Sequence, residues 1–358
     1  MPDFPEYIRE NYPARGRLFG DFLCGLWATA CDALAVPVEQ SVRTTLMLRA
    51  LLPRWAHERI GLAPAHPSYV AGDGFPAEMS VNWSGGRPEL RVLFDSLGHD
   101  VTFPGESAFD AAVRETFTPW AGRPSPAPVW HSLAWRPPSG IVHKTYFGLY
   151  QWPHQHREAA VTEAMDRLGM STAWDDARRR VEKIEGDREI EFFAVDLADI
   201  ADARVKIYYR NHGAGLAEVE RVASVASHHD TERARAAYRT LAGNRADAGE
   251  AALSCLAFRS GLDRTAESTT YLRLPDLSAD DEEAVERAAA LLHREGVDPG
   301  GFRTLAAALA PGPLAGSRGF LELVSYRTSG RRGDVTTYFR LPVYDSPAPP
   351  PLSPVDLG

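Results

Sequence analysis

The 358-residue sequence contains only three cysteines, Cys24, Cys31 and Cys255. They are too few and too irregularly spaced for a disulfide framework or a zinc site, and no Cys-x-x-Cys pair occurs. A reducing cytoplasm is therefore the expected location. The first residues carry acids and prolines where a secretory signal needs a basic and then an apolar segment, so we expect no export signal.

Long apolar runs are also missing. The most apolar early stretch, residues 18–38, is interrupted by Asp21 and Asp32 and predicts a helix of a globular protein, with no membrane association. No Gly-x-Gly-x-x-Gly motif follows a predicted strand, which argues against a nucleotide enzyme. The 39 Lys and Arg against 48 Asp and Glu give a net charge of -9, which argues against a nucleic-acid partner. We expect a small-molecule partner.

Helical and strand-like segments alternate along the chain in a recurring order, with about five units of helix followed by two strands. The short connections between paired strands require antiparallel pairing. We therefore predict an α/β fold in which ten antiparallel strands close into a barrel with the helices outside. Residues 1–345 are expected to form this single domain, and the Pro-rich residues 346–358 a disordered tail. Predicted strands cover 76–83, 89–95, 129–135, 142–150, 189–197, 203–210, 252–259, 268–274, 318–327 and 334–341, and predicted helices include 38–60 and 106–117.

Cations and tyrosines recur together on one face of several predicted strands, because residues two apart share a face. The residues that alternate in this way are Lys144 and Tyr146; Arg204, Lys206, Tyr208 and Arg210; Tyr271 and Arg273; and Tyr338 and Arg340. A solvated outer face explains any one such strand. The recurrence of the cation-and-tyrosine pattern on several strands of a net-acidic protein favours a barrel lumen lined by these side chains. A barrel of more than about eight strands has room for a ligand.

This combination of residues points to one kind of chemistry. Arginine and lysine clusters bind diphosphate through charge-assisted hydrogen bonds. Tyrosine faces stabilise a carbocation by cation–π attraction and exclude water. With one carboxylate to orient an aromatic nucleophile, they supply what is needed to move an allyl cation from an isoprenyl diphosphate to an electron-rich ring.

Six segments in order resemble the dimethylallyltryptophan synthase-type aromatic prenyltransferases: AEMSVNW, PELRVLF, HKTYF, ARVKIYY, STTYLRLP and VTTYFRLPVY. The resemblance runs from about Phe75 to Tyr344. It implies the ABBA fold, a ten-stranded antiparallel barrel of repeated α-β-β-α units, in a bacterial-type member. It also implies transfer of a dimethylallyl group from dimethylallyl diphosphate to tryptophan or a tryptophan-derived indole by Friedel-Crafts-type substitution, in secondary metabolism such as alkaloid biosynthesis, with no metal or other cofactor.

The resemblance also assigns roles to single residues. Glu78 matches the carboxylate that hydrogen-bonds the indole N–H. The matches to the diphosphate ligands are Arg91, Lys144, Arg204 and Lys206, and those to the tyrosine shield around the allyl cation are Tyr146, Tyr208, Tyr271 and Tyr338. Two positions depart from fungal members, which often have glutamine at Thr269 and a further tyrosine at Asp334. Arg273 and Arg340 are expected to compensate by binding diphosphate.

Histidines offer further candidates. With the phase assigned to its strand, His131 faces the lumen, where its ordinary pKa suits removal of the ring proton, although a structural role is the alternative. His154 with His156, and His228 with His229, lack further ligands at suitable spacing, so we expect no metal site. The acids at 280–283 open a helix and lack the spacing of a magnesium-diphosphate motif.

Other functions stay open. One alternative is the same chemistry on tyrosine, a cyclic dipeptide, a carbazole or a phenazine. No basic residue faces inward in EIEFFAVDL to hold an amino-acid carboxylate, which argues against free tryptophan as the acceptor. A non-catalytic barrel that carries an anionic or lipidic ligand is another, although a carrier needs neither Glu78 nor repeated tyrosines. We expect a monomer or a weak homodimer.

Overall fold

Ten strands pair antiparallel and close into a barrel in the computed structural model, as predicted. The chain is described over residues 14–66, 68–83, 87–99, 101, 117, 128–136, 140–196, 204–248, 252–328 and 333–344. The strands are β1 (Ala77–Asn82), β2 (Glu89–Asp95), β3 (Val129–Arg136), β4 (Gly140–Gly148), β5 (Asp187–Asp196), β6 (Arg204–His212), β7 (Ala252–Arg259), β8 (Glu267–Arg273), β9 (Leu321–Arg327) and β10 (Asp334–Phe339). Each pairs with its neighbours in sequence, and β1 pairs with β10, so closure leaves no free sheet edge.

Helices surround the barrel in the order that the periodicity predicts. They are α1 (Phe19–Ala33), α2 (Val38–Leu51), α3 (His154–Arg167), α4 (Ser171–Glu182), α5 (Leu216–Ala223), α6 (Thr231–Ala242), α7 (Leu274–Leu277), α8 (Asp281–Arg294) and α9 (Gly300–Leu309), with a 3₁₀ helix at Arg54–His57. The prediction of one helix over 38–60 is wrong, because Leu52 is extended before Pro53 and ends α2. No helix in the described ranges is long and apolar enough to cross a membrane.

Two predicted segments fall outside the described residues. The helix expected over 106–117 is described only at Phe117, and the tail over 346–358 is not described. The domain boundary at residue 345 therefore stays a prediction.

The two faces of the barrel wall differ in chemistry. Outward side chains such as Met79, Val92 and Leu272 pack with the helices in one apolar core, and Phe193 and Ile207 pack with helices in a second. A third cluster fills part of the lumen with aromatic side chains. Strand alternation therefore separates a helix-packing face from a face that lines an internal chamber.

His131 lies on the outer face of the barrel. It stands opposite Phe94 of β2 and Thr145 of β4, and its ring centroid is 5.8 Å from that of Phe94. Its Nδ1 lies 3.1 Å from Nε2 of His143. The expectation that His131 faces the lumen is wrong, because β3 has the opposite phase and turns Trp130 inward.

Candidate active site

One end of the lumen gathers four of the predicted diphosphate ligands. Arg91 of β2, Lys144 of β4 and Arg204 and Lys206 of β6 project from the inner face. Burial lowers the pKa of Lys144 well below its ordinary value, and the charges of Lys206, Arg91 and Arg204 lower it further, which places all four within electrostatic reach. We call these four residues the cation cluster. Such a concentration of positive charge is suited to a polyanion.

Two carboxylates that sequence reasoning did not single out organise this cluster. Asp196 accepts a hydrogen bond from Nε of Arg204 at 2.7 Å, and its other oxygen lies 3.2 Å from Nζ of Lys144. Burial would raise the pKa of Asp196, but Lys144, Arg204 and Lys206 together hold it well below its usual range. Glu267 lies 3.1 Å from Arg204. Asp196 and Glu267 thus hold Lys144 and Arg204 in the geometry that a bound anion would meet, and Glu89 lies 2.6 Å from Arg91.

Glu267 also brings two further arginines to this end of the lumen. Arg259 of β7 lies 3.3 Å from Glu267, and Arg327 of β9 forms an ion pair with it. Arg327 also pairs with Asp334, and its charge lowers the pKa of Lys206. Asp334, where fungal members often have a tyrosine, is therefore part of the charged end and not of the tyrosine shield.

The four predicted shield tyrosines form one continuous arc around the lumen. The ring centroids of Tyr146 and Tyr208 lie 6.1 Å apart, those of Tyr208 and Tyr271 5.8 Å apart, and those of Tyr271 and Tyr338 5.8 Å apart. Burial raises the pKa of all four hydroxyls, so the rings are neutral at physiological pH. We call these four residues the tyrosine arc. Contiguous neutral rings present π electrons to a cation while excluding water.

Glu78 of β1 lies toward the other end of the lumen. Burial raises its pKa to about 8, and the charge of Glu322 adds to this effect. Besides burial, the charge of Glu78 raises the pKa of Tyr338, so Glu78 borders the tyrosine arc. This environment fits a group that accepts a hydrogen bond from a polar N–H inside an apolar chamber.

Arg273 and Arg340 are not part of the cation cluster. Arg273 is six residues from Glu267 along β8, about 20 Å, with Tyr271 between them. It donates to Glu322 at 2.7 Å and to Asp276 at 2.8 Å. Arg340 follows β10 and lies at the end opposite Asp334. This geometry contradicts the expectation that both arginines bind the same diphosphate as the cluster.

Aromatic side chains line this second end of the lumen. Trp130 lies with its ring centroid 4.7 Å from that of Phe192, and Tyr69 lies 5.3 Å from Tyr150. The indole of Trp130 donates to Asp95 at 3.1 Å. Tyr69 comes from a loop outside the strands, so strand alternation could not assign it to the lumen, whereas Tyr150 falls within the predicted strand 142–150 but just beyond the observed end of β4. These rings contact one another and form part of the lumen wall, which we call the aromatic wall. Such a surface has the chemistry of a site for a flat aromatic molecule.

Among the histidines considered as metal ligands, His229 has a carboxylate partner. Nε2 of His229 lies 3.2 Å from Glu220, and Asp230 caps α6 by accepting from the backbone N–H of Arg233 at 3.1 Å. His154 and His156 open α3. Within the described ranges, no group of three or more His, Cys, Asp or Glu side chains is placed to hold a metal ion.

Comparisons with known proteins agree with this architecture. No protein-family model matches the sequence. A crystal structure of 6-dimethylallyltryptophan synthase from Micromonospora olivasterospora, in complex with DMASPP and Trp, is 27% identical and has a TM-score of 0.81, covering 93% of this chain and 100% of that chain. PriB in a binary complex with product diphosphate is 25% identical with a TM-score of 0.79, covering 93% of this chain and 99% of that one.

A third structure extends the likeness in fold. The 5-dimethylallyltryptophan synthase from Streptomyces coelicolor is 23% identical with a TM-score of 0.80, covering 93% of this chain and 98% of that chain. The barrel topology agrees with these likenesses. The resemblance predicted from six sequence segments is thus confirmed, since the chain is similar over nearly its whole length to dimethylallyltryptophan synthase-type aromatic prenyltransferases.

Proposed function

We propose that this protein transfers a dimethylallyl group from dimethylallyl diphosphate to an indole, either tryptophan or a tryptophan-derived molecule. The observation that carries the proposal is the order of groups along one closed lumen. The cation cluster lies at one end, the tyrosine arc in the middle, and Glu78 with the aromatic wall at the other end. This order matches the order of a diphosphate, an allyl cation and an aromatic acceptor in a single reacting complex.

The first step is ionisation of the donor. The bond between the allylic carbon and the diphosphate oxygen breaks, and the electron pair leaves with the diphosphate. Arg91, Lys144, Arg204 and Lys206 neutralise the negative charge that develops on the leaving group. Because the cluster is already assembled by Asp196 and Glu267, little reorganisation is needed when the bond breaks.

The second step is capture of the cation by the acceptor. The tyrosine arc stabilises the allyl cation by cation–π attraction, worth about 0.5–2 kcal/mol for each ring, and keeps water from quenching it. Glu78 accepts the indole N–H and fixes the ring, so that the distance between the nucleophilic atom and the allylic carbon selects the position of attack. A bond forms from the ring to the allyl group.

The third step returns aromaticity to the ring by loss of its proton. His131 lies outside the lumen and cannot accept it. Burial raises the pKa of both Glu78 and Asp95, which makes their carboxylates stronger bases than usual. These two groups are the candidate proton acceptors.

Two further observations support the proposal. The Micromonospora olivasterospora structure was obtained with DMASPP and Trp, and PriB with product diphosphate, so the donor and acceptor classes fit similar proteins. All three cysteines are free and buried, which agrees with a cytoplasmic location. We also propose that the cations replace a metal ion in binding the diphosphate, so that no metal or other cofactor is required.

The test is incubation of the purified protein with dimethylallyl diphosphate and a set of acceptors, with and without EDTA, read by mass spectrometry. The set contains indoles, tyrosine, a cyclic dipeptide, a carbazole and a phenazine. The proposal expects one added dimethylallyl unit on an indole, at the same rate with EDTA. Product formed only on a non-indole acceptor would show that the enzyme has the proposed chemistry but a different acceptor class. Binding of the diphosphate without any product would favour a carrier.

A further inference from the structure

A β-bulge changes the chemistry of the acceptor end of the lumen. The pairing of β5 with β6 shifts between Ile190 and Phe192, so Glu191 is an extra residue without a partner across the ladder. Ile190 packs on the outer face and Phe192 in the lumen. The bulge places the Glu191 carboxylate against Arg210, which shares the inner face of β6 with Tyr208. Glu191 is only 6% exposed.

The hydrogen bonds of Glu191 are incomplete. Its Oε1 accepts from Nε of Arg210 at 3.1 Å and from Nη2 of the same side chain. Its Oε2 is buried and has no hydrogen-bond partner among the residues that the structure describes. A buried carboxylate oxygen without a donor is costly, so this atom is suited to meet a donor on a bound molecule.

Tyr150 presents a second open group at the same place. Its hydroxyl is buried, and across the described part of the chain it too has no hydrogen-bond partner. Burial raises the pKa of this hydroxyl, and the charges of Asp95, Tyr69 and Glu191 raise it further. The ring of Tyr150 lies 6.2 Å from that of Trp130 and 5.7 Å from that of Phe192, which follows Glu191 in the chain, so both residues adjoin the aromatic wall.

The charges at this end favour a cation. Glu189 is neutralised by Arg157 at 2.6 Å, which leaves the carboxylates of Glu191 and Asp95 against the guanidinium group of Arg210 among the described residues here. A protonated amine would donate to Oε2 of Glu191 and to the oxygen of Tyr150, and it would balance the remaining negative charge. A carboxylate in the same position would instead be repelled by the negative charge of Glu191.

We infer that Glu191, together with Tyr150, binds a protonated amine of the acceptor and thereby selects indoles that carry one. This inference rests on the proposed function and narrows its substrate class. Glu191 is a specificity-determining residue here, because it contacts the acceptor away from the reacting atoms.

Three indoles with matched side chains test it. Tryptamine has the amine without a carboxylate, indole-3-propionate has a carboxylate without the amine, and tryptophan has both. We expect kcat/KM for tryptamine and tryptophan to exceed that for indole-3-propionate by about tenfold or more, as for a charge-assisted hydrogen bond. In Glu191→Gln, KM for the two amines should rise about tenfold, whereas KM for indole-3-propionate should not rise and pyrophosphate affinity should stay unchanged.

Glu189→Gln is the matched control, since it removes a carboxylate two residues earlier that is already paired with Arg157 at 2.6 Å. It should keep the preference for amines. Calorimetric binding of tryptamine and of indole-3-propionate to the unchanged protein gives a second measurement, which decides the question even if Glu191→Gln does not fold.

Equal use and equal binding of tryptamine and indole-3-propionate would overturn the inference, as would an equal loss with all three indoles in Glu191→Gln. Prenylation without a preference for amines would contradict this inference alone. Absence of product with every indole would contradict the proposed function, while the binding comparison would still report on Glu191.

Discussion

Nζ of Lys144 lies 3.2 Å from a carboxylate oxygen of Asp196 on the adjacent strand, and both side chains are largely buried. Asp196 therefore serves as an internal counter-ion for a lysine whose charge is otherwise opposed by burial and by three neighbouring cations. A bound diphosphate would supply negative charge to the same lysine. The pair thus links the stability of the empty barrel to its capacity to bind an anion.

Asp196→Asn should destabilise the protein, because it leaves Lys144 and Arg204 without their shared carboxylate. Breaking a buried ion pair typically costs about 3–5 kcal/mol. Pyrophosphate should restore part of this loss, so the rise in Tm on adding pyrophosphate should be larger in the variant than in the unchanged protein. Thermal unfolding with and without pyrophosphate measures this difference. An equal or smaller rise in the variant would contradict the counter-ion role.

Two arginine substitutions separate the two ends of the lumen. Arg204→Gln removes a member of the cation cluster and should weaken pyrophosphate binding by about tenfold to a hundredfold. Arg273→Gln removes an arginine about 20 Å away along β8 and should leave that affinity within about twofold. Isothermal titration calorimetry measures both. Similar losses in the two variants would show that Arg273 reaches the diphosphate after all.

The tyrosine arc should act through its ring faces. Tyr271→Phe keeps the ring and should retain most of kcat, whereas Tyr271→Leu should lower kcat by about threefold to thirtyfold, as for the loss of one cation–π contact. Pyrophosphate affinity should change in neither variant. Steady-state kinetics with an indole acceptor makes the comparison. Equal rates for the two variants would refute a role for the ring.

Glu78 should make stability depend on pH in a defined direction. Its pKa is about 8 in the folded protein and near 4.5 without the barrel around it. The folded state therefore holds a proton that the unfolded state has lost, and the contribution of Glu78 to stability falls as pH rises from about 4.5 to about 8. Glu78→Gln should gain stability relative to the unchanged protein between pH 5 and pH 8, measured by urea unfolding. If the difference in unfolding free energy between Glu78→Gln and the unchanged protein stays constant over this pH range, Glu78 does not titrate in this way.

The same group should shape the activity. The ionised carboxylate is a stronger acceptor for an indole N–H than the protonated acid, so kcat/KM should rise with pH and level off above about pH 8. Glu78→Gln should lack this rise. A profile that is flat across this range in the unchanged protein would contradict the assigned role.

Much of the fold followed from the sequence because alternation along strands is a local property. The inward positions of Lys144, Tyr146, Lys206 and Tyr208 could be predicted from spacing alone. The position of His131 could not, because β3 carries bulky residues on both faces. Alternation shows which residues of β3 share a face, but not which of the two faces lines the lumen. That choice is settled by the contact of His131 with Phe94 in the folded barrel.

The site was harder to predict where position along the lumen matters. Alternation places Arg273 on the inner face but does not reveal that the cations from other strands gather around Glu267, at the opposite end of β8. The bulge at Glu191 interrupts the two-residue period, so its inward carboxylate is invisible to a pattern search. Asp196 and Glu267 escaped notice because acids at strand ends are common, and their role depends on cations from other strands.

The most direct test of the central claim is the ratio of pyrophosphate released to prenylated indole formed, followed over time with dimethylallyl diphosphate, tryptamine or tryptophan, and EDTA. If the tyrosine arc holds the allyl cation for capture by the acceptor, the two products should appear together in a ratio of one to one. Release of pyrophosphate with dimethylallyl alcohol as the only organic product, or tight binding of the diphosphate with no release, would contradict the account.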